Sequence, residues 1–85
     1  MKNEESEWGG VEIVNRLPRR WRRDMLASVW GNNAKEMQEG KGEYEAYIYA
    51  STSSSKRIDS SHNFHTMEEA MQWADMYILT QGIKP

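Results

Sequence analysis

A stretch near the C-terminus sets the terms for the rest of the fold. Thr66-Met67-Glu68-Glu69 has the form of a capping box. In that motif the Thr hydroxyl accepts from the amide three residues on, and the Glu carboxylate reaches back to the Thr amide. Met67, Ala70, Met71, Ala74, Tyr77 and Ile78 then recur at helical spacing on one face, and Gly82 supplies a stop. A helix with one apolar face needs a surface to bury it on. The small Ala70 and Ala74 at its centre suit a close approach to a sheet.

The sheet is read just upstream. Tyr44-Glu45-Ala46-Tyr47-Ile48-Tyr49-Ala50 is rich in residues that favour pleated surfaces. Its alternation puts Tyr44, Ala46, Ile48 and Ala50 on one face, assigned to the core, and Glu45, Tyr47 and Tyr49 on the other. The serine run Ser51 to Ser55 reads as a hairpin tip. Lys56 to Phe64 returns as the second strand, with Ile58 and Phe64 on the same side by their even spacing.

Further upstream, Val11 to Val14 is too short to separate strand from loop, so an edge strand there stays open. Asn15-Arg16-Leu17-Pro18 reads as a helix start, because Pro is tolerated in the first turn. Trp21, Met25 and Val29 recur four apart beside Leu26 and Trp30, and Gly31-Asn32-Asn33 follows as a stop. The spacing predicts a helix over 18–31. Residues 32–42 read as a connection with a short helical turn at 34–38. The expected class is α+β: a small antiparallel sheet, built from a hairpin with a candidate edge strand, packed with two helices in the order (β)αββα. With 85 residues, the chain reads as a flexible acidic tail over 1–9 and a single domain over 10–85.

Composition excludes several functional classes. There is no cysteine, hence no disulfide and no thiolate metal site. No run of about 18 apolar residues is present, so no membrane contact is expected. The acidic, polar start is unlike a signal peptide, which points to an intracellular, cytoplasmic protein. His62 and His65 fall on opposite faces of a strand and its exit, a poor arrangement for one metal. No nucleophile–base spacing and no phosphate-binding glycine loop occurs. No catalytic residue and no cofactor is expected; the chain reads as a binding protein.

The candidate binding residues form three groups. Arg16, Arg19, Arg20, Arg22 and Arg23 fall within residues 16 to 23 with no acid among them, whereas residues 58 to 83 hold Asp59, Glu68, Glu69 and Asp75 and no Lys or Arg. Arg19, Arg20, Arg22 and Arg23 suit phosphates or an acidic protein surface; alternatively Arg19, Arg20 and Arg23 form the solvated back of the first helix. Trp73, Met76 and Leu79 fall off the core stripe of the last helix. Met76 reads as an interface anchor, Leu79 as packed under the first helix, and Trp73 as either an anchor or a cover for the sheet edge. Tyr47 and Tyr49 read as covered by the first helix, whose Trp21 and Trp30 need partners, with base stacking as the other use.

Two segments also carry a resemblance. Tyr44-Glu45-Ala46-Tyr47-Ile48-Tyr49-Ala50, and Thr66-Met67-Glu68-Glu69-Ala70-Met71 with Trp73-Ala74-Asp75, resemble the strand and helix of the small RNA-polymerase inhibitors of lytic phages. The same segments are similar to some small anti-CRISPR proteins. The likeness covers about half of the chain. It implies a mode of action: a compact viral protein that takes part in host takeover by sterically blocking a host or defence protein complex. The expectation is therefore an inhibitor with a protein partner that presents an acidic patch. Two alternatives remain beside it: a small nucleic-acid-binding module using the arginines and Tyr47 and Tyr49, and a homodimeric accessory protein.

Overall fold

The computed structural model describes residues 7–49 and 56–83. The elements are β1 (Glu12–Val14), β2 (Leu17–Trp21), β3 (Ala27–Gly31), α1 (Ala34–Gln38), β4 (Tyr44–Tyr49), β5 (Arg57–Phe64) and α2 (Met67–Gln81). The strands form one antiparallel sheet in the order β1-β2-β3-β4-β5. The α+β class stands: a five-stranded antiparallel sheet with two helices. The serine run expected at the hairpin tip lies outside the described residues.

The N-terminal half corrects the sequence reading. There is no helix over 18–31; that stretch is the hairpin β2–β3. Asn15 and Arg16 both have positive φ, 52° and 70°. This is the requirement of a two-residue hairpin turn, in which Asn is a preferred residue. They join β1 to β2, so Val14 pairs with Leu17. Pro18 therefore lies in a strand. It has no N–H, and the register of β2 with β3 begins one residue later at Arg19↔Trp30. Gly31 faces the Pro18 ring, where a Cβ would come within 2.8 Å of a ring carbon. The β2–β3 turn is organised by Asp24, whose Oδ1 accepts from the Leu26 amide at 3.0 Å. Met25 occupies the left-handed region there with φ 64°. The four-residue recurrence of Trp21, Met25 and Val29 thus comes from an outward residue, a turn residue and an inward residue of one hairpin.

The C-terminal half folds as its pattern dictates. Thr66 and Glu69 form both hydrogen bonds of the capping box, and Gly82 ends α2 with φ 66° and ψ 30°. The helix lies across β3, β4 and β5. Ala70 and Ala74, both fully buried, meet Ala27, Val29, Ala46 and Ile48, also fully buried, with Leu26 at the turn and Ile78 at the edge. Each buried aliphatic chain contributes about 1.5–3 kcal/mol relative to exposure. The short α1 falls on the expected helical turn at 34–38 and has its own capping box from Asn33 and Glu36.

Two register shifts mark β5. Between Tyr44↔Phe64 and Ala46↔Ser61 the strand β5 runs one residue longer than β4, and it does so again between Ile48↔Asp59 and Tyr49↔Arg57. These bulges break simple alternation. Phe64 still packs on the core. Ile58, expected on the same side, is exposed. Asn63 sits at φ 79°, and its backbone comes so near Gly42 that a Cβ there would lie 2.3 Å from the Asn63 Cα.

Residues 7–9, expected in the tail, are held against the rest of the fold. Trp8 is 3% exposed and belongs to the core cluster. Its indole Nε1 donates to Asp75 Oδ1 of α2 at 3.0 Å. The Gly9 amide donates to the Trp21 carbonyl at 2.8 Å, and the Arg23 amide to the Glu7 carbonyl at 2.7 Å. An indole is among the largest apolar surfaces a side chain can bury, and this one is used as core.

Candidate functional site

Strand parity sorts the sheet into two faces. On the face turned to α2 lie Arg20, Val29, Ala46 and Ser61 in one cross-strand row, and Ala27, Ile48 and Asp59 in another. On the opposite face one row is Glu12, Arg19, Trp30 and Glu45, and the next is Trp21, Ser28, Tyr47 and Ser60. No described element lies over this second face. It covers itself with its own long side chains.

Three stacked pairs make that cover. Trp21 lies on Tyr49 with ring centroids 5.2 Å apart and planes 24° from parallel. The Arg19 guanidinium sits 4.8 Å above the Trp30 ring. The Arg57 guanidinium sits 3.9 Å above the Tyr47 ring. Beneath them Ser28, fully buried, accepts from the Trp30 indole at 2.9 Å and shares a hydrogen bond with the Tyr49 hydroxyl at 3.0 Å. A stacked cation–aromatic pair contributes about 0.5–1 kcal/mol at an exposed site. Stacking leaves the edge of a guanidinium available for hydrogen bonds, and Arg19 already uses its edge on Glu12, donating from Nε at 3.1 Å and from Nη2 at 2.7 Å.

A buried carboxylate lies in the same face. Glu45 is 4% exposed. Its Oε1 accepts from the Tyr47 hydroxyl, and His62 Nδ1 lies 3.1 Å from it, off the line of a hydrogen bond. Burial, with the Glu45 carboxylate beside it, pushes the Tyr47 phenol up to about 12.

A groove of about 490 Å³ opens at this end of the face. It is lined by the β1–β2 turn (Asn15, Arg16), by Trp30 and Asn32 at the end of β3, and by Glu45, Tyr47 and Arg57. Asn32 is 5% exposed; its Nδ2 donates to the Gly42 carbonyl at 2.8 Å, and its Oδ1 is buried with no hydrogen-bond partner.

The candidate arginines are divided by this geometry. Arg19 is on the uncovered face, where it also pairs with Glu12 at 2.7 Å. Arg20 turns to the other side, donating to the Gly9 carbonyl and lying 3.7 Å from the Met71 sulfur. Arg22 is 8% exposed. It binds Asp24 at 2.8 Å, Glu7 at 3.0 Å and Asp75. The hydrogen bond to Asp24 raises its pKa above the usual range despite burial. Burial alone would raise the Asp24 carboxyl, but the hydrogen bonds from Arg22 and the Leu26 amide outweigh it and hold it below its ordinary value of 3.8. Arg23 is exposed and reaches the Trp8 carbonyl at 3.3 Å. A strand alternates its side chains, so no single arginine surface of the kind a helix would present exists.

Tyr47 and Tyr49 lie on the outward face, as expected, but strands supply their aromatic surroundings rather than a helix. On α2, Trp73 is half-buried against Phe64 at 6.0 Å and Tyr77 at 5.4 Å. Met76 is exposed, and so is Leu79, which has no first helix to pack under. The sequence reading missed Arg57, Trp30, Asn32 and Glu45 as site residues. The parity of Ala27-Ser28-Val29-Trp30 was the available signal.

Among the described residues there is no group of three or more His, Asp or Glu able to hold a metal, and no helix long and apolar enough to cross a membrane. The fold and its uncovered face define an α+β domain with one aromatic–arginine surface. Comparison with family models, curated proteins and solved structures finds no match to this chain.

Proposed function

We propose that this chain is a non-catalytic binding protein that lays the uncovered face of its sheet on a larger protein and blocks it. The observation that supports the reading is the layer of Arg19 on Trp30 and Arg57 on Tyr47, spread over strands that α2 leaves bare. Trp, Tyr and Arg are the residues that dominate binding energy at protein interfaces. The charges of the face are mixed. Arg16, Arg19 and Arg57 stand against Glu12, Glu36 and Glu45, and Glu12 is already paired with Arg19. A surface of both signs suits a protein partner with an acidic patch better than a uniformly negative strand. On this reading the chain works inside the cell as a phage-type inhibitor of a host or defence complex, the mode implied by the resemblance of its strand and helix.

The test is capture from a bacterial host expressing the tagged chain. The wild type retains a stoichiometric partner. Arg19→Glu combined with Arg57→Glu folds normally and retains about tenfold less, a loss of about 1.4 kcal/mol. No partner for the wild type, or undiminished capture by the double variant, sinks the reading.

A second reading is favoured by the same stacked planes. Single-stranded nucleic acid stacks its bases on aromatic rings and guanidinium planes of sheet faces. Absence of oligonucleotide binding at low salt removes it.

A further inference from the structure

Glu45 lies buried in the uncovered face, and a carboxylate out of water needs a cation or several donors beside it. The Tyr47 hydroxyl donates to its Oε1. No Lys or Arg among the described residues pairs with it. Its ionic contact is His62, which follows Ser60 on the same side of β5. His62 Nδ1 lies 3.1 Å from Glu45 Oε1, is itself buried and has no hydrogen-bond partner. Two lone pairs facing each other at this distance repel, so Nδ1 carries a proton. The side chain is nonetheless 36% exposed, and with Nδ1 buried the nitrogen open to solvent is Nε2. His62 therefore keeps one proton turned inward to Glu45 and presents its exchangeable position on the face.

The surroundings leave this ring as the group that responds near neutral pH. The Tyr47 phenol, pushed up to about 12, stays neutral there. Arg57 is held over the Tyr47 ring, and Arg19, in the same cross-strand row as Glu45, is paired with Glu12. Arg16 and Glu36 stand across the groove that Glu45 borders. Of these side-chain types, only an imidazole ordinarily changes charge between pH 5 and 8. A partner laid on the face strips the remaining water from the pair. With a neutral ring the carboxylate charge is then left uncompensated; with an imidazolium it is matched. Resting on the docking reading above, we infer that His62 makes docking proton-linked: the complex takes up a proton at Nε2, and docking strengthens as pH falls through the imidazole range. The sign follows from reciprocity, since whatever favours the proton in the complex favours the complex when protons are abundant. An acidic patch on the partner acts in the same direction.

The experiment is capture by the tagged full chain at about pH 7.5 and about pH 5.5, on the two sides of the imidazole range. The wild type should retain about threefold more partner at the lower pH, the effect of one added surface charge. His62→Asn places an amide N–H beside Glu45 but takes up no proton. It should capture as the wild type does at the higher pH and show no rise at the lower, which separates His62 from titrating groups of the partner. A second measurement needs no variant. The ring nitrogen resonances of the free wild type at high pH should show His62 as the Nδ1–H tautomer, with the exposed His65 as reference. Equal wild-type capture at both pH values, a rise kept by His62→Asn, or the Nε2–H tautomer at His62 overturns the inference. The two proposals fail distinguishably. Capture that is lost in the Arg19 and Arg57 double variant but is indifferent to pH leaves docking in place and removes the proton linkage alone. No partner at either pH removes docking, and the linkage with it.

Discussion

The two faces of this sheet are made by the same strands and solve the same problem differently. The α2 side is built from small and branched residues, Ala27, Val29, Ala46 and Ile48, all fully buried beneath a helix that approaches through Ala70 and Ala74. The other side has no described helix over it, and long planar side chains lie down upon one another to shield Ser28 and Glu45. The first arrangement excludes water by interdigitation, and its members have no freedom to do anything else. The second excludes water incompletely and keeps polar edges at the surface. Stability therefore resides mainly on the face that α2 covers, and the proposed recognition falls on the other.

The sharpest way to break that contrast is Ile48→Ala. The site is fully buried under α2, and the truncation should cost about 2–5 kcal/mol in chemical denaturation. A cost below about 1 kcal/mol would show that the helix-covered face is not where the stability lies.

Next comes Arg22→Met, which strands Asp24 and Asp75 beside an apolar chain. A loss of about 1.5–3 kcal/mol is expected, the range for hydrogen bonds to charged groups. Asp24 is held below its ordinary value of 3.8. Its contribution is thus fully present above that value and disappears as pH falls through the lowered native value. The wild type should lose stability there, and Arg22→Met should show a flatter acid limb.

Met25→Gly should gain about 1 kcal/mol, because a left-handed backbone at φ 64° is strained for Met and free for Gly. A loss instead would mean that the exposed Met25 side chain has a packing role. The smallest expected effect is on the uncovered face. Tyr47 has its phenol raised from 10.0 to about 12. That stabilisation is present below 10 and fades as pH climbs through 12. Tyr47→Phe should remove one late phenolate step from an ultraviolet titration. If every step of the wild type is complete near 10, the buried Glu45–Tyr47 contact is absent in solution.

The helix α2 and the β4 side beneath it were legible from residue spacing because each of their signals is local, whereas the β3 side, Ala27 and Val29, was read as helix. A capping box needs four consecutive residues, and the stripe from Met67 to Ile78 needs one helix. The uncovered face was not, for two physical reasons. Its rows are assembled from four strands, and nothing in the chain announces that Arg19, Trp30 and Glu45 are neighbours. The strand β2 also hid itself. Arg20 and Arg22 point toward α2 and bury their stems while their charges are satisfied by Gly9, Asp24 and Asp75. A strand with arginines on both faces shows no apolar alternation, so the four-residue recurrence through Trp21, Met25 and Val29 prevailed. Asn15 before Arg16 was the mark of the β1–β2 hairpin, and Asp24 that of the β2–β3 hairpin. Trp8 was missed because an acidic neighbourhood conceals a single core residue.

The irregular β5 has one more consequence. It is the long outer strand of the sheet, and an outer strand of eight residues is ordinarily an invitation for another chain to extend the ladder. Two bulges and the left-handed Asn63 interrupt its row of donors and acceptors, and Arg57 places a charge at its start. A flat, in-register copy cannot align along such an edge. At the opposite margin β1 offers only three residues. The protein can thus leave a broad aromatic face uncovered while denying its margins to fibril-like growth, a separation between being sticky and being prone to aggregate.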